Sequence, residues 1–120
     1  MVSIITVNFN AADQTCALLE SIRQLHDPLL QVIVVDNGSR IDPGAEFLKQ
    51  FPFITYLRSE QNLGFAGGNN LALQVAQGDY LFFINNDAEI TQQAIPRLVS
   101  LLQNNPKAGI VSPLICFHPA

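Results

Sequence analysis

The sequence predicts an α/β domain: a mostly parallel sheet with helices on both faces. Three observations point there. Short runs rich in Val, Ile, Leu and Phe lack the polar alternation of a half-exposed strand, as strands covered on both faces do. Stretches with apolar residues at helical spacing separate those runs. Each run ends in a cluster of Asn, Asp or Gly. Strands alternating with helices are joined by right-handed crossovers, which makes their pairing parallel.

The elements follow in order. Ser3-Ile4-Ile5-Thr6-Val7 reads as the first buried strand. From Asp13 the period changes: Thr15, Leu18, Leu19, Ile22 and Leu25 share one helical face, and Asp27-Pro28 stops it. Val32 to Val35 forms the second strand and ends in Asp36-Asn37-Gly38-Ser39, a turn signature. A short helix over Ala45 to Gln50 follows Pro43, and Ile54 to Leu57 is the third strand. Gly67-Gly68-Asn69-Asn70 opens a helix with Leu71, Ala72, Val75 and Ala76 on its apolar face, and Gly78 stands where a left-handed cap is expected. Tyr80 to Ile84 is the fourth strand. A last helix starts at Thr91, with Ile95, Leu98, Val99 and Leu102 inward and Pro96 in its first turn; Asn104-Asn105-Pro106 ends it. Ala108 to Val111 is expected as a fifth strand, with Pro113 marking an edge or an exit.

Parallel α/β sheets bind ligands beyond the carboxyl ends of their strands. Those ends carry Asn8 and Asn10, then Asp36 and Asn37, then Asn62 and Gly64, and finally Asn85, Asn86 and Asp87. The four clusters are expected to converge on one rim.

Composition removes several classes of function. With six Lys and Arg and a net charge of -4, the chain has no basic stripe for a phosphate backbone, so no nucleic-acid partner is expected. Its apolar runs are of strand length, well short of the ~20 residues of a membrane helix, and no basic-then-apolar stretch opens it. Cys16 and Cys116 show no CxxC or Cys/His spacing and read as reduced thiols in or near a cytoplasmic core. The 120 residues suit one domain able to bury a real core. The apolar stretch from Ser112 to Ala120 reads as chain entering further structure, so residues 1–120 are expected to be one domain of a truncated protein.

The rim residues each admit two readings. Asp87, beside two amides and Glu89, either holds a hard divalent cation or caps a strand-to-helix turn. Asp36 either accepts from a nucleoside's N–H or hydroxyl groups or braces its turn. The loop Gly64-Phe65-Ala66-Gly67-Gly68 lets a ligand approach the backbone and offers helix N–H groups behind it, but its spacing does not match GxGxxG and no GK[ST] is present. Asn69 and Asn70 are either donors on the rim or N-cap residues. His26 reads as a residue that complements the end of the first helix.

Taken in order, SIITVNFN, VIVVDNGS, QNLGFAGGNN and LFFINND resemble the nucleotide-sugar-binding half of family 2 glycosyltransferases, over nearly the whole chain. The NxGFxGGNN and NND variants resemble the bacterial rhamnosyltransferase-like subgroup. The resemblance implies a Rossmann-like GT-A fold. It also implies binding of a nucleoside-diphosphate sugar, dTDP-rhamnose or a UDP-sugar, by Val7, Asn8, Asn10, Asp36, Asn37, Asn62, Gly64, Asn69, Asn70, Asn85 and Asn86. Asp36 corresponds to the acid that contacts the base. Asp87 corresponds to the last acid of the DxD-type motif, which binds Mg or Mn bridging the diphosphate. Two departures stand out: Asn85 or Asn86 replaces the earlier DxD acid, which lowers ion affinity, and Asn69 stands where relatives often carry Arg.

The implied reaction is inverting transfer to a saccharide or lipid-linked saccharide acceptor in the synthesis of bacterial surface polysaccharide, at the inner face of the membrane. Its carboxylate base comes from the later, acceptor-binding half, so no catalytic residue is expected in this chain. Apolar surface that this half would cover leaves room for homo-oligomers. A non-catalytic module binding a nucleotide or a partner through the same rim is the alternative. A nicotinamide-dependent oxidoreductase is a third reading, weakened by the missing early glycine fingerprint although Asp36 stands where a ribose-binding acid would.

Overall fold

A computed structural model of the chain describes residues 1–114; Cys116, His118 and the last part of the terminal apolar stretch lie outside the described residues. The elements are β1 (Val2–Asn8), α1 (Ala12–Arg23), β2 (Leu30–Asn37), α2 (Gly44–Gln50), β3 (Ile54–Ser59), α3 (Gly64–Leu73), β4 (Tyr80–Phe83) and α4 (Ala94–Asn104). They fall into two compact units, the first spanning Met1–Glu89 and the second running on from Ile90.

In the first unit all pairings are parallel and the strand order is β3-β2-β1-β4. Register sorts the side chains, because successive residues of a strand point to opposite faces. Ile5, Ile33 and Val35 lie on one face with Ala72 of α3, and Val7, Leu57, Leu71 and Val75 pack around them. Ile4, Val32 and Val34 alternate onto the other face, together with Asn8, Asp36 and Tyr56. There Thr15 of α1 bonds Asn8, and the ring of Phe47 in α2 meets Tyr56 edge-on at 6.2 Å. Helices therefore cover both faces. α1 and α2 carry the chain outward across β1, β2 and β3, and α3 carries it back to β4 on the other side of β1. Beside β1 the winding reverses, which opens a crevice at the carboxyl ends of β1 and β4.

Four expectations require correction. Segment 108–111 pairs with no strand among the described residues, and Ile110 is 90% exposed. A four-residue run interrupted by Gly109 and closed by Pro113 has little strand preference of its own. α3 begins at Gly64, so Gly64 to Gly68 form its first turns instead of a loop, and Asn69 and Asn70 lie in its interior, which removes their N-cap reading. α3 also ends at Leu73, so Val75 and Ala76 pack from beyond it. Gly78 is not a left-handed cap, since the glycines with positive φ are Gly38 and Gly64. It is small because a Cβ there would lie 2.5 Å from the Ser3 backbone nitrogen, while its N–H donates to Ser3 Oγ at 2.8 Å.

In the second unit α4 starts at Ala94, three residues after Thr91, with Pro96 in its first turn and Ile95 and Leu98 buried.

Candidate functional site

The carboxyl ends of all four strands converge on one cavity of about 370 Å³, lined by Val7, Phe9, Asn37, Asn62, Gly64, Phe65, Asn85, Asn86 and Asp87. β1 delivers Val7 and Phe9, and β2 delivers Asn37. The β3–α3 connection gives Asn62, and the first turn of α3 gives Gly64 and Phe65. The turn after β4 supplies the last three. Gly68 lets α3 sit this close: a Cβ on it would reach both Val7 methyls at 3.1 Å and Asn37 Nδ2 at 3.4 Å.

Asn37 is 3% exposed and clamps the cavity wall. Its Nδ2 donates to Asn62 Oδ1 and to the Gly64 carbonyl, both at 3.0 Å, and its Oδ1 accepts from the Leu63 N–H at 2.9 Å. Asn62 Oδ1 also accepts from the Gly64 N–H at 2.9 Å. Two amides thereby satisfy the backbone where α3 begins.

Asn8, Asn10, Asp36, Asn69 and Asn70 do not line the cavity. Asp36 is fully buried. Its carboxylate pairs with the Arg58 guanidinium, accepts from Asn8 Nδ2 at 2.9 Å, and takes both the N–H (3.0 Å) and the hydroxyl (2.6 Å) of Ser39. The two Ser39 bonds brace its turn. Asn8 bridges Asp36 to Thr15, and Asn10, at φ 50°, accepts from the Arg40 N–H at 2.8 Å. Asn69 is buried in α3, whereas Asn70 is exposed on it. The division follows the strand period: Asn8 and Asp36 point to the α1/α2 face, Val7 and Asn37 to the α3 face.

Asp87 behaves differently. It is exposed, and among the described residues its carboxylate has no hydrogen-bond or ion-pair partner, so it caps no turn. The turn is closed instead by the Ala88 N–H on the Asn85 carbonyl at 3.1 Å. Among the described residues no three His, Cys, Asp or Glu side chains cluster. A single carboxylate flanked by amides suits a hard cation that keeps its waters and arrives with a diphosphate. Asp87 fits such an ion, and only in company with the ligand's own oxygens.

Three contributors escaped the sequence. Phe9 and Phe65, 46% and 61% exposed, give the cavity two aromatic walls, and their exposure beside polar neighbours is visible only in three dimensions. Arg58 falls just beyond the apolar run of the third strand, yet it is the counter-ion of Asp36. Away from the rim, His26 lies past the end of α1 at φ 49°, its N–H on the Arg23 carbonyl. Cys16 is a free, half-buried thiol; burial, then the Asp13 and Glu46 carboxylates, push its pKa up. No helix among the described residues is long and apolar enough to cross a membrane.

A parallel α/β sheet with its cavity at the winding reversal and a polar rim from every strand is the GT-A-like architecture. The chain belongs to glycosyl transferase family 2, whose model matches residues 3–117. It is 30% identical over 120 residues to an uncharacterised glycosyltransferase of Haemophilus influenzae, covering all of this chain and 39% of that protein. It is 33% identical over 93 residues to the putative teichuronic acid biosynthesis glycosyltransferase TuaG of Bacillus subtilis, covering 72% of this chain and 36% of that one. Staphylococcus aureus TarS 1-349 in complex with UDP-GlcNAc superposes with a TM-score of 0.75 at 21% identity, over 94% of this chain and 37% of that chain. The chain thus spans about two fifths of the length of these relatives.

Proposed function

We propose that this chain is the donor-binding part of an inverting glycosyltransferase of the rhamnosyltransferase-like subgroup. It takes dTDP-rhamnose or a UDP-sugar for transfer to a saccharide or lipid-linked saccharide in bacterial surface polysaccharide, at the inner, cytoplasmic face of the membrane. One observation carries this reading: residues from all four strand ends, remote in sequence, line one cavity at the winding reversal, with the exposed Asp87 carboxylate on its rim.

In this reading the aromatic rings of Phe9 and Phe65 offer apolar walls to the flat base. The amides of Asn62, Asn85 and Asn86 serve the hydroxyl-bearing parts of the donor. Asp87 holds a Mg or Mn ion, whose chemistry is to neutralise the charge that builds on the departing diphosphate. Asp36 acts through the turn it braces, keeping Asn37 on the cavity wall. In the transfer itself the acceptor hydroxyl bonds to the anomeric carbon, the bond to the diphosphate breaks, and the hydroxyl proton passes to a carboxylate base from the acceptor-binding half. This chain alone therefore binds donor and transfers poorly or not at all.

Titration calorimetry with UDP and dTDP, with and without manganese, tests it. Binding that manganese strengthens in the wild type and no longer strengthens in Asp87→Ala is expected. No binding of either nucleotide, or an unchanged manganese effect in Asp87→Ala, overturns it.

A further inference from the structure

A run of side-chain hydrogen bonds crosses the sheet beneath the cavity. Asn86 Nδ2 donates to Thr15 Oγ1 at 3.1 Å, Thr15 donates to Asn8 Oδ1 at 2.7 Å, Asn8 Nδ2 donates to Asp36 Oδ1 at 2.9 Å, and Asp36 is paired with Arg58. Thr15, Asn8 and Asp36 are buried almost completely.

The direction of each bond is forced. A carboxylate paired with a guanidinium can only accept, so Asn8 turns its Nδ2 to Asp36 and its Oδ1 to Thr15. Thr15 has one hydroxyl proton, and Asn8 Oδ1 takes it. Thr15 can then only accept from residue 86, which must donate. Asparagine can donate and an aspartate carboxylate cannot, so the run requires an amide at position 86. With Nδ2 held, Asn86 keeps its Oδ1 without a partner among the described residues, on a residue that lines the cavity.

We propose that Thr15 is a positioning residue for the donor site. It fixes the Asn86 amide so that Oδ1 accepts a hydrogen bond from a hydroxyl of the donor's nucleotide, and the pairing of buried Asp36 with Arg58 sets the polarity of the whole run. This rests on the donor-site reading above.

The experiment is titration calorimetry of the chain with UDP or dTDP plus manganese. It compares the wild type with Thr15→Val, Thr15→Ser, Asn86→Ala, Asn86→Asp and the Thr15→Val/Asn86→Ala double variant, each checked for folding by circular dichroism. Thr15→Val should lose about tenfold in affinity, the scale of one well-formed hydrogen bond. Thr15→Ser should restore it, and the double variant should bind no more weakly than Asn86→Ala alone, because both remove one interaction. Asn86→Asp should also weaken binding, whereas a simple metal-ligand role for residue 86 would make it tighten. Wild-type affinity in folded Thr15→Val, multiplying losses in the double variant, or tighter binding by Asn86→Asp overturns the proposal and leaves the donor site standing. If Thr15→Val does not fold, the Asn86→Asp result decides. A wild type that binds neither nucleotide overturns both.

Discussion

The side-chain amide of Asn37 donates to Asn62 Oδ1 and to the Gly64 carbonyl at the same distance, 3.0 Å, tying the end of β2 to the start of α3. Asn37 itself is almost wholly buried. Asn37→Asp keeps the shape and the bond from the Leu63 N–H but replaces the donor with a carboxylate that faces two oxygens. A buried polar group left unsatisfied costs about 1–3 kcal/mol, more when charged. The expected outcome is a loss of unfolding free energy of at least that size, read from a lower urea midpoint, together with weaker UDP binding because Asn62 and Gly64 lose their anchor. Unchanged stability would show that the clamp contributes nothing.

Arg58→Ala tests the other side of the rim. Asp36 is fully buried and Arg58 is its counter-ion, so removing the guanidinium strands a carboxylate in the interior. Asp36 then keeps only the bonds from Asn8 and Ser39, with no counter-charge among the described residues in reach of its buried carboxylate. The variant should unfold at a clearly lower denaturant concentration than the wild type. A loss of only a few tenths of a kcal/mol would show that water reaches Asp36.

Much of this was legible in the chain. The β-branched runs of β1 and β2 and the helical stripe of α1 announce a covered parallel sheet, and the polar residues after each strand announce where a ligand would sit. Faces were harder to read. Asn8 and Asn10 look like rim residues by position, yet the two-residue period turns Asn8 and Asp36 toward α1 and α2, where Thr15, Ser39 and Arg58 occupy them. Those partners lie up to 31 residues away in sequence, and no local pattern announces them. The start of α3 was misplaced because three glycines in five residues read as loop, whereas close approach to Val7 requires a small residue inside the helix. The same cause, close packing instead of φ, explains Gly78.

Gly78→Ala follows from that geometry. The new Cβ would meet the Ser3 backbone nitrogen at 2.5 Å and Ser3 Oγ at 2.7 Å, and backbone cannot yield as a flexible side chain can. Overpacking of this kind costs about 1–3 kcal/mol. The Gly78 N–H bond to Ser3 Oγ should be lost with it, loosening β4 where it starts beside β1. Faster hydrogen exchange of the β4 amides than in wild type is the expected signature, and unchanged exchange would count against it.

Tyr56 gives a prediction with opposite signs at the two ends of the pH scale. Its hydroxyl donates to Asp42 Oδ1 at 2.6 Å. Burial first, then that bond, then the charges of Asp36 and Asp42, push the phenol above its usual range against an opposing bond from Arg58. The same bond, with help from the Gly44 N–H, holds the Asp42 carboxyl below its usual range. For a raised group the stabilisation is complete below the unfolded pKa, about 10 for tyrosine, and declines as pH rises from there toward the folded value. For a lowered group it is complete above the unfolded pKa, about 4 for aspartate, and declines as pH falls toward the folded value. The urea midpoint of the wild type should therefore exceed that of Tyr56→Phe by a constant margin between these limits, and the margin should shrink beyond either one. The chain has two tyrosines, so Tyr80→Phe leaves Tyr56 as the sole phenol for absorbance at a wavelength specific to phenolate. Its ionisation should begin well above pH 10. Titration of Tyr56 at the ordinary tyrosine value would mean that the bond to Asp42 does not form.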